Sequence, residues 1–169
     1  MVQRDFATDY ASTRGALGPI FVVLPQTKLP VGGLQNFQVW NQGTSAVPSA
    51  GNVFPAYVLR PTSGVPNGYR VVYDSGLLTM PALTVPGVSE VATFPVSAAV
   101  NVHVGDANAY YGEGIPFSYI TGPADTTSSY PAPSAPALSN TMTLCVDFGF
   151  PILPVTQLHS FAATAAPPA

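Results

Sequence analysis

The sequence predicts an all-β chain: a single-domain antiparallel β-sandwich or jelly roll with an extended N-terminal arm and Pro-rich loops. Three observations predict it. Nineteen prolines are spread so that the longest stretch without one is residues 96–115, "VSAAVNVHVGDANAYYGEGI", which is rich in Val and ends near Gly, leaving a long helix no comfortable place. In residues 141–150, "TMTLCVDFGF", Met142, Leu144, Val146 and Phe148 alternate with Thr141, Thr143, Cys145 and Asp147, the period-2 pattern of a half-buried strand. Clusters of Gly, Pro and Asn separate several further apolar segments at short intervals. At 169 residues the chain is long enough for one core.

Residues 1–17, "MVQRDFATDYASTRGAL", carry Arg4, Asp5, Asp9 and Arg14 with little apolar content, and are expected to form an arm. Strands are then expected at "PIFVVLP", "QNFQVWNQ", "VFPAYVLR", "YRVVYDS", "VATFPV" and "AAVNVHV", with "PFSYIT" and "ILPVTQL" as weaker members of the set. The segment "TSGVPNG" should turn "AYVLR" back towards "YRVVY". Pro55 and Pro95 lie inside strand-like runs, which marks those runs as edge or bulged strands. Residues 122–140, "GPADTTSSYPAPSAPALSN", suggest a long loop or strap with polyproline character. The sandwich domain is placed at residues 18–160, and "FAATAAPPA", residues 161–169, is expected to be a flexible C-terminal tail.

Charge is scarce, with five basic and eight acidic residues making up 8% of the chain, against about 25% in ordinary soluble domains. Ordinary charge solvation cannot keep such a surface apart from its neighbours. Arg4, Arg14, Lys28, Arg60 and Arg70 are dispersed along the sequence, which argues against nucleic-acid binding. No apolar run reaches the ~18 residues of a membrane-spanning helix, and "MVQRDFATDY" shows no secretory h-region. Cys145 is the only cysteine, so no intrachain disulfide can form.

One stretch gathers chemistry, residues 100–114, "VNVHVGDANAYYGEG". Val100, Val102 and Val104 alternate with Asn101 and His103, and His103 is most simply a solvated or interfacial side chain. Asp106, Asn108 and Glu113 place oxygens as a calcium loop would, but Tyr110 and Tyr111 stand where such a loop needs an acidic or amide side chain and a glycine. The simpler reading is a strand running into an Asx-stabilised turn with no metal and no cofactor. Cys145 sits inside a strand pattern, Ser75 in "YDSGL" lacks a nucleophile elbow, and Lys28 falls in a loop-like context, so no enzyme is expected. A small hydrolase using Cys145 or His103 is the third reading.

The first reading is a non-enzymatic structural assembly protein, such as a capsid decoration or cement component of a virion. It would be a homo-oligomer with partners in a capsid lattice, and a trimer is favoured by analogy with capsid components at threefold positions. Residues 29–59 and 148–169 carry no formal charge, and Trp40, Tyr57, Phe150, Leu153 and Leu158 are the interface candidates within or near them. The second reading is an extracellular carbohydrate-binding or adhesin-like module, in which Trp40 and the tyrosines at 57, 69, 73, 110, 111 and 119 would stack on sugars.

Overall fold

In the computed structural model, the residues described are 20–43, 48–112, 115, 117–119, 128–131, 135–144, 157–159 and 161–166. They form twelve strands in chain order: β1 (Ile20–Lys28), β2 (Gly32–Asn41), β3 (Val53–Pro61), β4 (Gly68–Thr79), β5 (Glu90–Pro95) and β6 (Asn101–Val102). The remainder are β7 (Ala107–Tyr111), β8 (Phe117–Tyr119), β9 (Ser128–Pro131), β10 (Thr141–Thr143), β11 (Gln157–His159) and β12 (Phe161–Ala166). Every strand pairing is antiparallel. The chain is therefore all-β, as its alternation and punctuation predict. A six-stranded sheet runs β10-β4-β3-β7-β1-β9, a four-stranded sheet runs β12-β2-β5 with β6 also on β2, and β11 pairs with β8.

The main core is drawn from both large sheets. Phe37 and Val39 of β2, Ala92 of β5 and Val102 of β6 meet Phe54, Ala56 and Val58 of β3 and Tyr110 of β7. Two ring contacts cross between the sheets: Phe37 stacks on Tyr73 of β4 with centroids 6.0 Å apart, and Phe54 meets Phe94 of β5 edge-on at 5.4 Å. Phe37 is fully buried. Removing a side chain of that class from water contributes about 2–3 kcal/mol.

The six-stranded sheet has a second buried face. Val23, Tyr57, Leu59, Val71, Ala109, Met142 and Leu144 cluster there. Consequently β3 is buried without a break from Phe54 to Leu59, and β7 from Ala107 to Tyr110. Continuous burial belongs to strands covered on both faces, whereas β2 alternates from Asn36 onward.

Pro55 and Pro95, the two prolines expected inside strand-like runs, sit where their missing N–H does least harm. Pro95 ends β5, at the edge of its sheet, and Pro55 adjoins an irregularity in the β3–β4 register between Pro55 and Tyr57. At that irregularity the Ala56 N–H donates to the Ser75 hydroxyl at 2.8 Å, and Ser75 Oγ donates to the Gly76 carbonyl at 2.7 Å. The Gly76 N–H in turn donates to Asp74 Oδ1, and Gly76 takes φ 66°, a conformation that suits glycine. Ser75 is thus part of a bulge within β4. The β3–β4 connection forms the expected turn, with Thr62 N–H on the Gly68 carbonyl and Asn67 at φ 57°.

Three segments differ from the sequence expectation. Residues 107–111, expected in a turn, form β7 near the centre of the larger sheet. Part of the expected strap forms β9, which pairs with β1. Residues 161–166, expected in a flexible tail, form β12 and pair along β2 from Val39 to Gly33. Backbone pairing supplies what side-chain patterning did not announce in these short, small-residue segments. The arm at residues 1–17 lies outside the described residues.

Candidate functional site

The stretch that gathers chemistry in the sequence divides at Asp106. Upstream, β6 pairs with Gly32 and Gly33 of β2, so the chain has to reverse before β7 enters the other sheet. It does so at His103–Asp106, where the Asp106 N–H donates to the His103 carbonyl at 3.1 Å and Gly105 adopts φ 90°. The Asp106 carboxylate closes the turn by accepting the His103 N–H at 2.9 Å. The carboxylate thus stabilises the turn, but by reaching back three residues, whereas the expected Asx turn bonds forward to the backbone two residues on.

Asp106 is fully buried and holds a second partner. Arg60, at the end of β3, donates from Nε to Oδ1 at 3.0 Å and from Nη2 to Oδ2 at 2.8 Å. Nη2 also donates to the Asn101 carbonyl at 3.0 Å, which ties β3, β6 and the turn together. The hydrogen bond to Asp106 is the largest cause raising the Arg60 pKa above its usual value. A buried carboxylate satisfied in this way is costly to uncouple.

Arg60 also lines a cavity of about 460 Å³ together with Arg70, Asn101, His103, Leu138 and Ser139. Arg60 and Arg70 are direct partners across β3 and β4. Ten positions apart in sequence, they look dispersed, yet the hairpin sets them side by side. Side chains directly opposite in an antiparallel pair share one face, with Cβ atoms about 5 Å apart. Ser139 reaches the cavity from a turn in which the Asn140 N–H donates to the Ala137 carbonyl, and it holds φ 66°. Hydrogen bonds from Ser139 N–H to the Val71 carbonyl and from Val71 N–H to the Asn140 carbonyl anchor that turn to β4. A non-glycine residue there stores roughly 1 kcal/mol of backbone strain.

The calcium candidates do not converge among the described residues. The cation facing Asp106 is the Arg60 guanidinium, which engages both carboxylate oxygens. Asn108 lies in β7 opposite Val58, buried, with neither its amide oxygen nor its nitrogen hydrogen-bonded. Glu113 lies outside the described residues. No group of three or more His, Cys, Asp or Glu that could hold a metal occurs among those described.

The interface and sugar candidates also separate. Tyr57 is 1% exposed and belongs to the second core cluster, so it offers no surface; β3 is covered on both sides at that point. Tyr110 is buried in the main core and Tyr73 stacks on Phe37, so these rings form no shared platform with Tyr57. Leu158 falls in β11, paired with Ser118. Phe150, Leu153 and Cys145 lie outside the described residues.

Trp40 alone of the interface candidates has a described, partly exposed side chain. It belongs to the outer face of the four-stranded sheet. There Trp40 pairs with Val91, Gln38 lies between Thr93 and Ala162, and Asn36 lies between Pro95 and Thr164. None of these side chains is charged, and Val91 is 39% exposed. The adjoining edge strand, β12, is equally neutral, with the sequence FAATAA. Among the described residues it has no second neighbour.

No helix among the described residues is long and apolar enough to cross a membrane. Comparison of the chain with protein families, curated proteins and solved structures returns no match.

Proposed function

We propose that this chain is a non-enzymatic structural subunit of a larger protein assembly, on the surface of a virion as a capsid decoration or cement component. Its finer architecture in this reading is a β-sandwich, supported by the core shared between the two large sheets. The observation that carries the reading is the charge-free outer face around Trp40, Gln38, Val91 and Thr93. Soluble surfaces ordinarily intersperse charges of both signs, and a neutral β-face without them favours association. The uncharged edge at β12, which has no second neighbour among the described residues, offers backbone groups that another strand can meet.

Closed symmetry would bury such a face without letting the contact propagate into fibres, and a trimer is the favoured ring. Light scattering coupled to size exclusion tests this directly. The expected mass is a small multiple of 17.5 kDa, three for the favoured ring. A monomer at micromolar concentration, soluble without a partner, would contradict the proposal.

A further inference from the structure

We propose that the cavity between Arg60, Arg70 and His103 is a binding site for a small molecule bearing an oxyanion, a carboxylate, sulfate or phosphate group. The inference stands apart from the assembly reading, because it uses none of the outer-face residues.

Charge placement is the first argument. Two guanidinium groups face the same cavity from directly opposed positions on β3 and β4, and like charges so placed repel. One carboxylate, Asp106, answers only Arg60. Two of the five basic residues in the chain and one of its two histidines meet at this spot, in a protein whose net charge is −3. The local excess is positive where the whole is negative.

Donor geometry is the second. Arg60 uses Nε on Asp106 and Nη2 on Asp106 and the Asn101 carbonyl, which leaves both N–H bonds of Nη1 without an acceptor among the described residues. The Asp106 contact holds that guanidinium in place, so its remaining donors are already oriented. Arg70 is exposed and has no partner among the described residues. An oxyanion set between Nη1 of Arg60 and the guanidinium of Arg70 would complete charge-assisted bonds that neither arginine otherwise makes. Asn101, His103 and Ser139 add polar groups to the wall, while Leu138, 58% exposed, offers an apolar surface for the remainder of the ligand. A volume of about 460 Å³ suits a small organic acid or phosphate ester.

Isothermal titration calorimetry at constant ionic strength tests the site, using inorganic phosphate, sulfate, acetate and glucuronate as separate probes and chloride as the control. Saturable one-site binding of at least one oxyanion is expected, weakened about tenfold or more in Arg70→Ala. Arg70→Ala is the informative variant because it removes an exposed side chain with no partner among the described residues, whereas Arg60→Ala would strand Asp106. A response to acetate and glucuronate alone assigns the site to carboxylates, and a response to phosphate and sulfate alone assigns it to tetrahedral anions. Absence of saturable binding for all four probes, or equal affinity in wild type and Arg70→Ala, would overturn the proposal.

Discussion

The two large sheets solve the same burial problem in opposite ways. In the six-stranded sheet, β3 and β7 are covered on both faces, with Phe54, Ala56 and Val58 directed to one cluster and Tyr57 and Leu59 to the other. In the four-stranded sheet, β2 sends Phe37 and Val39 inward while Gln38 and Trp40 stay partly exposed. One sheet spends its side chains on stability. The other leaves Trp40, Gln38, Val91 and Thr93 at least partly exposed and uncharged, and that is where an assembly role would reside.

The contrast predicts unequal costs for substitutions one residue apart. Phe37→Ala should destabilise the fold by about 4 kcal/mol, since it removes a fully buried ring and the stack on Tyr73. Gln38→Ala, on the opposite face, should change folding stability by less than about 0.5 kcal/mol. Urea unfolding of both variants measures this. Equal losses would mean that the two faces of β2 are buried alike.

A smaller effect separates the arginines of the cavity. Arg60→Ala leaves the buried Asp106 carboxylate without its ion pair and should cost about 3 kcal/mol. Arg70→Ala should be neutral to within about 0.5 kcal/mol. Thermal unfolding distinguishes an ion pair that staples three elements from a charge held ready for a ligand.

The smallest effect lies in the second cluster. Burial pushes the Tyr57 hydroxyl well above the ordinary tyrosine range, with Asp74 and then Tyr111 adding to the shift. As pH rises past about 10, the unfolded chain releases this proton while the folded chain retains it. The unfolded state then binds fewer protons, so the contribution is complete below about pH 10 and is lost as pH climbs towards the folded value. Tyr57→Phe should flatten the alkaline decline in urea-unfolding stability measured from about pH 8 upward. The decline should not vanish, because burial also raises Tyr69, Tyr73 and Tyr111.

Legibility in the sequence followed the same division. Strands with apolar alternation or β-branched runs, β2 to β5 above all, were visible because side chains reported their faces. Within "TMTLCVDFGF", β10 spans Thr141–Thr143, Met142 and Leu144 are buried and Thr141 is exposed, while residues 145–150 lie outside the described residues. The segment "ANAYY" was illegible as a central strand, because Ala107, Asn108 and Ala109 carry too little apolar bulk to declare burial on two faces. "FAATAA" hid for a related reason: its place beside β2 is set by backbone hydrogen bonds that small side chains permit. The cavity could not be seen as a site from spacing alone. Arg60 and Arg70 become neighbours only when the "TSGVPNG" turn fixes their register, which runs unbroken from Pro61–Tyr69 through Leu59–Val71. Counting positions outward from that turn was the one signal in the sequence that could have found the pair.

The central claim is that the outer face of the four-stranded sheet is a contact surface. Its most direct test is the mass of the protein by sedimentation equilibrium in wild type and in Thr93→Lys, which puts a charge on that face directly opposite Gln38 of the central strand. The account predicts an oligomeric wild type and a folded 17.5 kDa variant, its melting temperature lower only by what the lost association contributes. A wild-type mass of 17.5 kDa, or a variant that assembles as fully as wild type, would contradict it.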